Sequence, residues 1–357
     1  MKRHGEADLQ AWIGGLPPLP TGAELILRPN DAGAVATVRT DGQAPQVFAL
    51  GAAGVHELRA EQDRDLPGAA LLADPTRLAA HLEPRVGPIA SSRLVAWRPA
   101  RRAVLCVQTV AGRRVWLKLL DRKTHRRAKA AFAALQATLE PLVLQRPTFV
   151  LDDVCGLLAE DAAGVALRSL LARDDELPWA LLARAVLALS YTTTHGELPH
   201  HDAARARDAA LVALRQGTQL VPELEALLAP LADAALPPTP SRLAFVHGDL
   251  HDKQLFLAEG RVSLIDLEGM ALGDPRFDVA NLAEHLRLRE LQQHGDDRGL
   301  AERFLARCGH AAGEPALTRF RALVRARLCG VYALRPRWRA LVDRLALETR
   351  TFLQETS

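Results

Sequence analysis

Between residues 245 and 286 the chain reads FVHGDLHDKQLFLAEGRVSLIDLEGMALGDPRFDVANLAEHL, and its acids, amides and histidines recur at short intervals. Asp249 and Asp266 supply two carboxylates, and Gln254 supplies an amide oxygen. Brought together, such groups can hold Mg2+ against phosphate oxygens and accept a hydroxyl proton, which are the needs of phosphoryl transfer. The elements around them must bring them together. Residues 243–246, 255–257 and 262–267 are short apolar runs bounded by polar or glycine-containing turns, the pattern of buried strands. A hairpin through Ala258, Glu259 and Gly260 then folds Asp266 back towards Asp249. Gly273-Asp274-Pro275 reads as a turn that opens a helix at residues 277–280.

The blocks HGDLHDKQ, ID and GDPRFDVA resemble those of the aminoglycoside phosphotransferase and choline kinase family, relatives of the protein kinases. That family's pattern is roughly H-G-D-x-H-x-x-N, then I-D, then G-D-P-x-x-D-x-A. Every fixed position matches except Gln254, which stands where asparagine is usual. The resemblance implies an α+β, two-lobed protein-kinase-like fold, with a small β-rich N-lobe and a mostly helical C-lobe. It implies ATP or GTP as donor, Mg2+ as cofactor and a small-molecule hydroxyl as acceptor. Asp249 would accept or orient the hydroxyl proton, and Asp266 and Gln254 would be the metal ligands. Gln254 offers the family's amide oxygen on a stem longer by about 1.5 Å. His251 falls where protein kinases often carry a phosphate-contacting lysine, and either serves similarly or packs. His247 and Asp278 are expected to brace the loop, and Asp274 is a turn residue.

Upstream, residues 93–97, 103–110 and 114–120 alternate or run apolar like three successive strands. Lys118, in VWLKLL, occupies the strand position from which the resemblance implies a grip on the nucleotide phosphates; the plain alternative is an edge lysine in solvent. No glycine-rich phosphate loop is present. Its place is taken by Arg98-Pro99-Ala100-Arg101-Arg102, where Arg101 or Arg102 either contacts phosphate or belongs to a solvated basic turn. The helix expected over residues 126–139 contains no glutamate to pair with Lys118, which leaves Asp121, Glu140, Asp152 or Asp153 as substitutes. Strands follow at 149–151 and 156–160. The resemblance implies that backbone groups from Leu158 through Glu160 to Asp161 read the adenine edge, before Gly164 turns the chain into a helix at 165–171. Helical patterns cover 179–193, 202–215, 222–234, 300–308, 316–333 and 337–353.

The chain's 357 residues allow two or three units. The expected division is an accessory segment over 1–88, an N-lobe over 89–161 and a C-lobe over 162–357. Within the accessory segment, residues 1–20 form a loose arm. Residues 24–28, 34–39 and 46–50 make a small antiparallel meander, and Asp74-Pro75 caps a helix at 76–82. A net charge of +3, with no basic tract interleaved with aromatics, argues against a nucleic-acid partner. No apolar run can span a bilayer and the N-terminus lacks a signal-peptide core, so the expected location is cytoplasmic, as a monomer or homodimer. The four cysteines lack metal-ligand spacing. Between residues 298 and 350 stand twelve arginines against four acids, Glu302, Glu314, Asp343 and Glu348. An excess of that sign favours a sugar or another neutral or acidic acceptor over a polycationic aminoglycoside. The alternatives are aminoglycoside O-phosphotransfer and a nucleotide-binding pseudokinase scaffold.

Overall fold

The computed structural model describes residues 11–30, 32–135, 139–173, 176–193, 198–310 and 313–356. The chain divides into two compact units. One comprises Met1–Lys129, Arg146–Asp161 and Leu334–Arg337; the other comprises Ala130–Gln145, Ala162–Ala333 and Trp338–Ser357.

The first unit opens with an antiparallel meander, β1 (Glu24–Asn30), β2 (Gly33–Arg39), β3 (Gln46–Gly51) and β4 (Gly54–Leu58). Three of these strands are legible in the sequence. The fourth, GVHEL, is short and largely exposed, so it carries little apolar periodicity. Residues 11–14 are helical, within the stretch expected to be a loose arm, whose first ten residues lie outside the described set. The edge of β1 is closed from far along the chain: Leu27 N–H donates to Leu334 C=O at 2.8 Å, and Arg335 Nε lies 3.3 Å from Glu24 Oε1. Helix α1 (Pro75–Val86) starts as the sequence predicts, with Asp74 accepting from Arg77 N–H and Pro75 at the first position. It runs past residue 82 because Leu82 and Val86 both extend its buried face.

A five-stranded sheet follows in the order β5 (Ile89–Arg98), β6 (Arg102–Thr109), β7 (Arg114–Leu120), β10 (Gly156–Glu160), β9 (Phe149–Leu151). Helix α2 (Arg122–Ala134) follows β7, while β8 (Leu142–Leu144) belongs to the second unit. Period-two alternation sorts the strand faces. Leu105, Val107, Leu117 and Leu119 point into a core that also holds Leu66, Leu78 and Leu82 of the accessory segment. Trp116 and Lys118 therefore lie on the opposite face.

The second unit contains β11 (Val165–Ala166), α3 (Leu167–Ala172), α4 (Trp179–Leu189), β12 (His200–His201), α5 (Ala203–Gly217) and α6 (Leu228–Asp233). Then come β13 (Ala244–Val246), β14 (Leu255–Ala258), β15 (Arg261–Leu264), β16 (Ala271–Gly273), and the helices α7 (Arg276–His294), α8 (Leu300–Arg307), α9 (Pro315–Ala333) and α10 (Arg339–Thr356). Two small sheets, ordered β11-β14-β15-β8 and β12-β16-β13, are set in a large apolar core. The helix expected over 222–234 is instead a 3-10 segment, Pro222–Leu227, followed by α6. Pro230 has no N–H to continue an α-helical ladder from 226. The pattern at 179–193 stops at Leu189, where the Ser190 hydroxyl donates to the Leu187 carbonyl and β-branched threonines follow. The 126–139 expectation begins earlier, at Arg122, capped by the Asp121 carboxylate on Thr124 N–H; its residues 136–138 lie outside the described set.

Helices α5 and α9 cross at a glycine contact. A Cβ on Gly330 would sit 2.2 Å from the Ala213 carbonyl carbon, so only glycine permits this approach. Helix α7 is buried on every side from Phe277 to Leu291. A buried helix of this kind must find a partner for each polar residue it carries.

Candidate active site

The hairpin expected at 258–260 forms. Ala258 pairs with Arg261 across a two-residue turn whose Gly260 has φ 67°, and the return strand delivers Asp266 beside Gln254. The loop between β13 and β14 carries Asp249. Its Gly248 has φ 80°, and its start is held by one buried acid of α7. Asp278 Oδ2 accepts from His247 N–H at 2.6 Å, and Oδ1 accepts from Gly248 N–H at 3.0 Å. Burial pushes the Asp278 carboxyl up, while His247 and the two N–H groups oppose that shift.

His247 ties the two acids' backbones together. Its Nε2 lies 3.0 Å from Ile265 C=O, which precedes Asp266, and its Nδ1 lies 3.4 Å from Asp249 N. One neutral tautomer, with the proton on Nε2, satisfies both contacts. Deeper in the loop, Leu250 C=O accepts from Asn281 Nδ2 at 2.7 Å, and the fully buried Asp252 accepts from Arg289 Nε at 2.7 Å. Residues 278, 281, 285 and 289 are spaced to share one stripe of α7. That polar stripe on a helix otherwise rich in Leu and Ala is the signal from which Asn281 and Arg289 could have been found.

Asp266 sits in the left-handed region, φ 67°, ψ 43°, at the head of a 3-10 turn, Leu267–Gly269. A non-glycine residue there is uncommon and marks a position where the backbone is fixed by its surroundings. Gln254 is buried, with Oε1 accepting from His251 N–H at 3.0 Å and Nε2 lying 3.4 Å from Asp266 Oδ2. Asp249 is nearly half exposed, and Arg327 of α9 reaches it, Nη2 to Oδ1 at 2.7 Å. Nothing in the sequence singles out Arg327 from its neighbours in the arginine-rich C-terminal third. The ring of His251 packs 5.0 Å from that of His285, its Nδ1 lies 3.3 Å from Lys253 N, and burial lowers its pKa.

The remaining sequence candidates lie in the first unit. Lys118 is half-buried on β7, opposite Val104 of β6 and Leu157 of β10. Of the four acids considered as its partner, Asp121 caps α2, Asp152 pairs with Lys129 at 2.6 Å, Asp153 approaches His81, and Glu140 approaches Arg261. Arg101 lines a cavity of about 530 Å³ with Arg64, Asp65, Asp121, Arg122 and Lys123. Arg102 stands directly across from Arg98 at the hairpin end, and both contribute to depressing Arg28 of β1 to about 10, after burial as the main cause. The turn between them is clamped by the accessory segment. Asp63 Oδ2 accepts from Ala100 N–H at 2.9 Å and from Trp97 Nε1–H at 3.0 Å, and Ala100 has φ 58°. Leu158 is buried in the sheet with its carbonyl accepting from Thr148 N–H, whereas Glu160 ends the strand and meets Arg113 at 3.2 Å.

Residues 107–323 match the phosphotransferase enzyme family, and the chain belongs to that family; it is a phosphotransferase. A search of curated proteins gave no match. Among solved structures it is similar to a thermostable mutant of aminoglycoside phosphotransferase APH(4)-Ia in its apo form, with TM-score 0.53 and 15% identity over 78% of this chain and 98% of that one. The same protein in ternary complex with ADP and hygromycin B gives TM-score 0.52 and 14% identity, over 78% and 98%. Choline kinase LicA from Streptococcus pneumoniae gives TM-score 0.47 and 12% identity, over 79% and 99%. The fold is therefore the α+β, kinase-like one that the sequence motifs imply. Among the described residues no helix is long and apolar enough to cross a membrane, and no group of three His, Cys, Asp or Glu side chains forms a metal site.

Proposed function

We propose that this phosphotransferase moves the terminal phosphoryl group of ATP or GTP to a hydroxyl of a small molecule, with Mg2+. The observation that carries the reading is the loop in which His247 links the backbone of Asp249 to that of Ile265, next to Asp266, inside the family-matched span. Asp249, exposed on a braced loop, receives the acceptor's proton. The donor set beside it fits Mg2+, which takes one or two carboxylates from protein and the rest of its shell from phosphate and water. Asp266 would be that carboxylate, and Gln254 would be the accompanying amide with its side chain turned over, since Oε1 accepts from His251 N–H and Nε2 faces Asp266 here. When bound, the metal neutralises phosphate charge. Lys118 and Arg101 or Arg102 contact phosphates by charge, His251 lines the loop, and backbone from Leu158 through Glu160 to Asp161 receives the base.

The accessory segment (1–88), N-lobe (89–161) and C-lobe (162–357) share the work as a cytoplasmic monomer or homodimer without nucleic acid. A sugar or another neutral or acidic metabolite is the favoured acceptor over an aminoglycoside. Of the arginines between 298 and 350, Arg327 is the one that meets Asp249; Arg321 and Arg325 are occupied by the buried Glu284. The absence of an α2 glutamate supports a second reading, a nucleotide-binding pseudokinase scaffold.

Purified protein assayed with labelled ATP or GTP against a hydroxylated-metabolite panel decides between them: transfer is expected, and nucleotide binding without any transfer leaves the scaffold. Asp266→Asn should abolish the Mg2+ effect on nucleotide affinity. Gln254→Leu should raise the Mg2+ requirement where Gln254→Asn does not; equal magnesium titrations remove Gln254 from the ligand set.

A further inference from the structure

Asp249 is the only hydrogen-bond partner of the Arg327 guanidinium among the described residues. The contact uses Nη2, one of three nitrogens that carry the five donors of the planar guanidinium, so the donors on Nε and Nη1 remain for a ligand. The charge is felt by two imidazoles of the same unit. Burial, with Arg205 and Arg327 among the other causes, lowers His201 to about 4, and burial with His251, Arg289 and Arg327 puts His285 well below its ordinary range. Both rings hold a buried Nδ1 without a partner among the described residues. His201 lies along the loop, its Cδ2 3.6 Å from where a Cβ on Gly248 would be, and His285 packs against His251. Buried polar atoms without partners are rare in folded proteins and go with strain, a functional role or a bound water or ion. Glu284, the acid next to His285 in the sequence of α7, is consumed by Arg321 and Arg325 and gives Arg327 no second carboxylate.

We infer that Arg327 binds the acceptor, and that the acceptor is a hydroxy acid whose carboxylate seats on the Arg327 guanidinium while its hydroxyl reaches Asp249. The inference rests on the reading that Asp249 receives the hydroxyl proton. Because Arg327 and Asp249 touch, the two acceptor groups must be close. With ordinary hydrogen-bond lengths on each side, the hydroxyl and carboxylate oxygens lie roughly 4–7 Å apart, which corresponds to a short chain or one face of a small ring. A planar carboxylate suits the remaining planar donors, and once the hydroxyl proton has passed to Asp249 its single charge balances that of Arg327. A dianion would overload the site, and an amino alcohol would bring like charge to the guanidinium. In the transfer, the acceptor oxygen bonds the γ-phosphorus as the bond from that phosphorus to the ADP oxygen breaks; the hydroxyl proton passes to Asp249 and ADP leaves.

Matched acceptors test this: glycerate against glycerol, and 4-hydroxybutyrate against 1,4-butanediol, with ethanolamine as the cationic control. Product formation with Mg2+ and ATP is followed by mass spectrometry. At least one acid should be phosphorylated with kcat/KM about 10-fold or more above its neutral partner and ethanolamine. Arg327→Gln should reduce that acid preference about 10- to 100-fold, chiefly through KM, with part restored by Arg327→Lys. Neutral or amino acceptors used as well as the acids, no turnover of either acid, or an unchanged preference in Arg327→Gln would overturn the inference. Should that variant not fold, the wild-type preference alone decides. Calorimetric titration of Mg2+ and ATP into the same preparation separates the two failures. Without nucleotide binding the phosphotransfer reading itself fails; with binding but no acid preference, only the acceptor assignment does.

Discussion

The loop carrying Asp249 and the turn carrying Arg101 are both short connections between strands, but they are held by different means. The loop is fastened from inside the family-matched span, by Asp278, Asn281 and Arg289 of a helix buried on all sides. The turn is fastened by Asp63, which lies outside that span in the accessory segment. The first arrangement spreads the load over several buried side chains; the second has the Asp63 carboxylate beside backbone bonds from Arg101 N–H to Arg98 C=O and from Asp121 N–H to Arg101 C=O, each at 3.1 Å. Within the loop there is a further division: the group proposed to do chemistry is half exposed, and the groups that hold it are buried.

Removing a buried brace should do the most damage. Asp278→Ala strands two N–H donors beside a buried cavity, with an expected loss of about 2–4 kcal/mol in urea unfolding along with most of the activity. A variant as stable as the parent would show the loop to be held elsewhere.

Glu284 extends the contrast to pH. Between Arg325 and Arg321 it is held at about 2, despite full burial, against an ordinary glutamate value of 4.5. The folded state therefore binds this proton less readily than the unfolded state. Its stabilisation is complete above about pH 4.5 and drains away as pH falls towards 2, by an amount on the order of 3 kcal/mol. Unfolding free energies at pH 7, 4 and 3 should trace that acid limb, and Glu284→Gln should flatten it.

Asp249→Ala should reduce turnover about 100-fold while shifting unfolding by less than about 1 kcal/mol, because the side chain is half exposed. A large stability loss would place Asp249 among the braces. The mildest effect is expected at the single-carboxylate clamp. Asp63→Ala should cost about 1–2 kcal/mol and raise the KM for nucleotide a few-fold with little change in kcat. An unchanged nucleotide KM would separate the turn from nucleotide binding.

The same division explains what could be read in advance. Asp249, Gln254 and Asp266 are legible because chemistry restricts residue type and spacing, and the 258–261 turn is legible because Gly260 supplies a positive φ. Arg327 is not, since a count of arginines cannot say which ones other acids will consume. Arg321 and Arg325 go to Glu284, Arg339 to Glu223 and Arg344 to Glu348, and one guanidinium of the group meets Asp249. Helix α7 gives a blurred signal for a related reason: its bracing residues share one stripe, but Glu284, Arg287 and Glu290 put further buried charge off that stripe. The strands β12 and β16, two and three residues long, are too short for any period to show.

The bond from Leu27 N–H to Leu334 C=O has a consequence for the order of synthesis. A ribosome delivers β1 about 300 residues before the segment that closes its edge, and N-terminal parts of chains ordinarily fold first. In this protein the meander waits as an open edge until α9 has emerged, and an open edge invites pairing with other chains. Nascent chains stalled before residue 334 should therefore be the species most prone to aggregate and most dependent on chaperones.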